Sequence, residues 1–111
     1  MSYQLPENFF FGGAMSGPQT EGKWQDGGKL PNLWDTWSNL DIHAFHNRVG
    51  SYAGNDFTER MEEDLQLLKS LGLDSIRTSI QWSRLLDING KLNPEGEKYY
   101  HHLFAVAKKV G

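Results

Sequence analysis

The sequence predicts an α/β fold with parallel strands, and three observations carry that expectation. Near the N-terminus an apolar run passes into small residues and a Gly-Pro turn, the pattern of a buried strand. Mid-chain, apolar residues recur at helical spacing, and a segment of strict alternation follows. Strand, helix, strand in that order is a βαβ unit, for which a right-handed crossover and parallel strands are expected.

The first strand is expected over 9–16, where Phe9, Phe10 and Phe11 lead into Gly12, Gly13, Ala14 and Ser16. Small residues there let another backbone or a ligand come close. Gln19 follows just past the carboxyl end, where parallel α/β folds hold their ligands. Its amide offers a donor and an acceptor side by side, which suits adjacent sugar hydroxyls. The plainer alternative is a turn residue after Gly17-Pro18.

A long irregular span is expected over 17–55, rich in Gly, Asn and aromatics, including Trp24, Trp34, Trp37 and Phe45. Loops of such length in compact domains are functional or disordered, and three tryptophans argue against disorder. The span reads either as a wall of a binding cleft or as a minor core under a surface loop, with a short helical turn at Trp34–Ser38.

The first long helix is expected over 56–71. Asn55 or Asp56 supplies the cap, and Phe57, Met61, Leu65, Leu68 and Leu71 form one apolar stripe. Glu62, Glu63 and Asp64 lie on the solvated side, and Gly72 is a natural stop. The second strand is expected over 73–80, with Ile76, Thr78 and Ile80 on one face and Ser75, Arg77 and Ser79 on the other. If both faces are covered, Arg77 is buried and needs a carboxylate from elsewhere in the fold, because stranding a guanidinium costs several kcal/mol. The alternative is an edge arginine that reaches solvent. After the Asn89-Gly90 turn, a second long helix is expected over 94–110, with Asn93 as cap, Pro94 at its first position, and Tyr100, Leu103, Phe104, Ala107 and Val110 as its apolar face.

Composition narrows the function classes. A net charge of −3 without a basic stripe argues against nucleic acid as a partner. No cysteine is present, which excludes disulfides and thiolate metal sites. The N-terminus lacks a basic segment followed by an apolar one, no run reaches a membrane span, and no Asn-x-Ser/Thr sequon occurs. A cytoplasmic protein without membrane partners is expected. Two βα units leave both sheet edges open, and a complete eightfold barrel takes roughly 250 residues. The 111 residues therefore read as the front of something larger, prone to oligomerise or aggregate through exposed edges.

These residues resemble glycoside hydrolase family 1, the retaining β-glycosidases. Phe9-x-Phe11-Gly12-x-Ala14-x-Ser16 with Gln19-x-Glu21-Gly22 is similar to that family's N-terminal signature, although Pro18 stands where an aromatic, Asn or His is usual. Arg77-Thr78-Ser79-Ile80-Gln81-Trp82-Ser83-Arg84-Leu85, followed by Gly90, Asn93, Gly96 and Tyr100, is the second match, and Asp56, Glu63-Asp64 and Leu71-Gly72 fit the helix between. Gly17-Pro18-Gln19, Trp34-Asp35-x-Trp37 and the Arg77–Leu85 run look most like bacterial 6-phospho-β-glucosidases. The resemblance implies a (β/α)8 barrel of which this chain supplies the first two βα units. It implies that Gln19 binds substrate through hydroxyls of the sugar being cleaved, and that Arg77 orients the nucleophile. It implies a reaction by two carboxyl groups about 5–5.5 Å apart, through a covalent glycosyl-enzyme. No catalytic carboxylate is expected here. The family carries its acid/base in Asn-Glu-Pro and its nucleophile in Glu-Asn-Gly, whereas this sequence has no Asn-Glu pair and its one Glu-Asn, Glu7-Asn8, precedes Phe9. Glu21 and Asp35 are taken as structural, and no cofactor is implied.

Three rivals stand beside this reading. A nucleotide-binding enzyme is disfavoured because Gly12–Gly17 lacks the Gly-x-Gly-x-x-Gly spacing. A non-catalytic carbohydrate-binding module would use Trp24, Trp34, Trp37 and Trp82 as stacking platforms, but such modules are commonly β-sandwiches, and the periodicity here is helical. A metal site is disfavoured because His43, His46, His101 and His102 have no further ligand spaced to complete a tetrahedron.

Overall fold

The computed structural model describes residues 2–22, 26–41 and 43–111, with Arg48 described by its backbone alone. Trp24, one of the proposed stacking rings, lies outside the described residues, as does Lys23. The elements are β1 (Gly12–Ala14), α1 (Gly17–Thr20), α2 (Leu33–Leu40), α3 (Phe57–Ser70), β2 (Ser75–Arg77), α4 (Trp82–Leu85) and α5 (Pro94–Val110), with single 3₁₀ turns at Asp26–Gly28 and His46–Arg48.

β1 and β2 pair in parallel, with Gly12 opposite Ser75, Gly13 opposite Ile76 and Ala14 opposite Arg77. Gly12 is required by proximity, since a Cβ there would collide with the Ser75 side chain and carbonyl. Both strands are shorter than the 9–16 and 73–80 expected. Among the described residues each has one neighbour, so pairing ends where the shared ladder ends. Phe9, Phe10 and Phe11 consequently precede β1 and are exposed, with the Phe9 and Phe11 rings edge to face at 5.1 Å.

α3 and α5 pack on each other and cover one face of the sheet. Phe57, Met61 and Leu65 of α3 meet Tyr100, Leu103 and Val106 of α5, with Met15, Leu68, Ile76 and Leu85 against them. Two expected core positions fall outside. Leu71 is exposed because α3 ends at Ser70 in a Schellman turn: Leu73 N–H donates to Leu68 O, Gly72 N–H donates to Lys69 O, and Gly72 takes φ +86°. Phe104 is exposed and Val106 is buried, because α5 turns its 100–103–106 ridge toward α3.

The α3 cap also differs from expectation. Asp56 adopts a left-handed conformation (φ 58°) and its side chain caps nothing. The carbonyl of Glu21 serves instead, accepting from the Thr58 N–H at 3.1 Å and from the Thr58 hydroxyl. α5 begins as expected, with Asn93 Oδ1 accepting from Glu95 N–H at 3.2 Å and Pro94 in the first turn.

The long irregular span contains more structure than expected. Asn32 and Asp35 form a capping box at the start of α2, which runs to Leu40 rather than stopping at Ser38. This helix is inverted: Asp35 and Ser38 are buried, whereas Leu33, Trp34, Trp37 and Leu40 are exposed. Phe45 packs against Trp34 and Trp37, with ring centroids 6.1 and 5.4 Å apart. The chain measures 52 × 34 × 23 Å with a radius of gyration of 16.6 Å, against about 13 Å for a compact domain near this length. The extended shape and the unpaired outer edges of the two-stranded sheet describe part of a larger layer architecture. Among the described residues there is no β-sandwich of the kind a carbohydrate-binding module would use.

Candidate functional site

The carboxyl ends of the two strands share one end of the molecule, and the chain builds a rigid turn there. Immediately after β1, the four residues of α1 present Gln19 to solvent while Gly17, Thr20, Glu21 and Gly22 are buried. Every flank of the turn is tethered. Gly17 N–H donates to Ser79 Oγ at 3.0 Å, and the Thr20 hydroxyl donates back to Ser16 O at 2.8 Å. Asn55 N–H donates to Thr20 O at 3.2 Å, and the Ser16 hydroxyl donates to Gln19 Oε1 at 2.7 Å. The last bond fixes which edge of the amide faces outward.

Beneath the turn lies a buried polar cluster centred on Glu21. Its Oε2 accepts from Arg84 Nε and from Gln81 Nε2, each at 2.7 Å, and its Oε1 accepts from the Tyr100 hydroxyl at 2.9 Å. Gln81 N–H donates in turn to the Tyr100 oxygen at 2.8 Å, and Arg84 donates to Gly22 O at 3.2 Å. The ion pair is buried at both partners, and the Arg84 guanidinium stacks on the Tyr99 ring at 4.9 Å. The cluster continues outward: Asn32 Nδ2 donates to Gln81 Oε1 at 2.8 Å, and Asp35 Oδ2 accepts from Asn32 N–H at 2.9 Å and from Lys29 Nζ at 3.0 Å. Glu21, through both oxygens, and Asp35, through Oδ2, therefore hold α1, α2 and α4 together, while Asp35 Oδ1 is buried without a hydrogen-bond partner.

Arg77 ends β2 on the face opposite Ile76, which packs in the core. It is exposed, and no carboxylate pairs with it among the described residues. Within these residues the edge-arginine alternative describes Arg77, and the buried arginine with a carboxylate partner is Arg84. Four-residue α4 brings Arg84 back under the turn, and no apolar periodicity marks so short a helix. Gln81 and Lys29 are also buried in the cluster; Gln81 stands within the Arg77–Leu85 run, whereas for Lys29 the Asn32-x-x-Asp35 capping pattern is the available signal that this loop is built around polar contacts. His43, His46, His101 and His102 are exposed, and no group of three potential metal ligands occurs among the described residues.

Burial, and secondarily the Glu21 carboxylate, raises the Tyr99 hydroxyl to about 12, and the same two causes raise Tyr100 further. A tyrosine held protonated in the fold loses ground to the unfolded chain, whose tyrosines ionise near 10. Stability is therefore complete below about pH 10 and falls as pH rises toward 12. Denaturant midpoints measured across that window should show the fall, and Tyr99→Phe should flatten its first part.

The sequence of the Glycosyl hydrolase family 1 model matches residues 1–111, the whole chain. The chain belongs to glycosyl hydrolase family 1. Furostanol glycoside 26-O-beta-glucosidase of Hellenia speciosa is 38% identical over 110 residues, covering 96% of this chain and 20% of that protein. The 6-phospho-beta-glucosidase GmuD of Bacillus subtilis strain 168 is 35% identical over 102 residues, covering 91% of this chain and 22% of the relative. Among solved structures, a family 1 β-glucosidase from the fungus Humicola insolens, in complex with glucose, superposes with a TM-score of 0.90 at 31% identity, covering 99% of this chain and 24% of that one. The chain thus spans about a fifth of the length of the curated relatives it matches, and its fold is the N-terminal portion of the family 1 (β/α)8 barrel. β1 and β2 are its first two staves, and α3 and α5 are the outer helices that follow them.

Proposed function

We propose that these residues are the N-terminal part of a retaining β-glycosidase that hydrolyses β-glucosides, with 6-phospho-β-glucosides as preferred substrates. Gln19 binds hydroxyls of the sugar being cleaved, and Arg77 lies beside the nucleophilic carboxylate and orients it. The observation that carries this reading is the exposed Gln19 on a fully tethered turn at the carboxyl ends of paired parallel strands, in a chain of this family. The unpaired guanidinium of Arg77 on the sheet face away from the core supports its part, since a charge so placed is available to a carboxylate from another stave. Preference for a phosphorylated sugar rests on the Gly17-Pro18-Gln19 and Trp34-Asp35-x-Trp37 segments and on the likeness to GmuD. A charged sugar of that kind does not diffuse across a bilayer, which agrees with a cytoplasmic setting.

Both reacting carboxyl groups belong to downstream barrel units, so the 111 residues alone are inactive. Chromogenic β-glucoside and its 6-phospho derivative, offered separately to the full-length polypeptide and to residues 1–111, test each part. The full-length polypeptide should turn over both, the phosphorylated one with the higher kcat/KM, and residues 1–111 neither. Stoichiometric turnover by residues 1–111 would overturn the assignment of the carboxylates, and equal kcat/KM on the two substrates would remove the phosphate preference.

A further inference from the structure

Among the described residues, Gln81 is the buried side chain that bonds both halves of the wall. Its Oε1 accepts from Asn32 Nδ2, at the cap of α2, and its Nε2 donates to Glu21 Oε2, at the close of the α1 turn. It also carries the turn from below. A Cβ added to Gly17 would stand 2.5 Å from Gln81 Cγ and 2.9 Å from both Gln81 Nε2 and Glu21 Oε1, so the Gly17 backbone rests on these two side chains. Gln19, two residues on, is exposed above it. An apolar residue of similar size would fill the space but leave Asn32 Nδ2 and Glu21 Oε2 each one hydrogen bond short.

We infer that Gln81 is a positioning residue for Gln19: through Gly17 and Glu21 it sets the height and tilt of the α1 turn, and so where the Gln19 amide meets the sugar. The inference rests on the reading of Gln19 given above. Gln81 touches no substrate itself. Its amide is a spacer of fixed length between two polar anchors, and the turn moves when that spacer is lost.

The test uses the full-length polypeptide with a β-glucoside and a series of analogues, each lacking one ring hydroxyl. Gln19→Ala identifies the contacted hydroxyls, because discrimination against the analogues that lack them collapses. Gln81→Leu should lower discrimination at those same hydroxyls about tenfold and leave the ratios at the other positions unchanged. Gly17→Ala, whose methyl presses on Gln81 and on Glu21 Oε1 and so shifts the turn without removing a polar group, should give the same selective loss. Gln81→Asn, which keeps the amide but shortens the spacer, decides the matter if Gln81→Leu does not fold. A Gln81→Leu or Gly17→Ala enzyme that is slower on every substrate in equal proportion, with all ratios intact, overturns the positioning role while the Gln19 reading stands. If Gln19→Ala itself leaves every ratio unchanged, that reading fails and the inference fails with it.

Discussion

Replacing Glu21 with alanine is expected to cost about 3–5 kcal/mol of stability, because it leaves a buried guanidinium without its carboxylate. The Arg84 side chain is 5% exposed and the Glu21 side chain 4%, so water cannot take over the lost partner. The same substitution strips an acceptor from Gln81 and from Tyr100. Removing both charges together, as Glu21→Leu with Arg84→Met, should recover much of the loss, since a buried pair is less costly to replace by apolar volume than to break. Thermal midpoints of the two variants separate these effects. An unchanged midpoint for Glu21→Ala would show that the pair contributes nothing.

The second large effect is expected at Gly96, where α5 crosses α4. A Cβ there would collide with the Arg84 carbonyl oxygen and come within 2.8 Å of its carbon and 3.1 Å of Leu85 Cα. All three are backbone atoms, so no rotamer change relieves the clash and the helices must separate. Gly96→Ala should therefore destabilise by about 1–3 kcal/mol or more, by overpacking. Gly13→Ala is the control: nothing lies within 4 Å of its added Cβ, and its midpoint should stay put.

The second strand and both long helices are legible because each rests on a period the sequence displays, such as Phe57–Met61–Leu65 at helical spacing. The first strand is legible from an apolar run that passes into small residues. What escaped was whatever depends on polar partners distant in sequence. Alternation puts Ile76 and Arg77 on opposite faces of β2, but it gives no sign that Arg84, on a helix too short to show a period, is buried. Trp34 and Trp37 drew attention to the loop, yet the residues that fix α2 inward are Asp35 and Ser38. Their burial follows from Lys29, Asn32 and Tyr52 supplying partners, which hydrophobic patterning does not register. Gln19 stands out by its position after a strand, whereas the four bonds that hold its turn leave no local pattern in the sequence.

Those bonds have a kinetic and thermodynamic corollary. A turn already fastened at Gly17, Thr20, Glu21 and Asn55 has little conformational freedom left to surrender, so if Gln19 meets a sugar as proposed, it incurs almost no ordering entropy on this side. On that proposal, closure around a ligand falls to the other walls, and this segment is the fixed jaw.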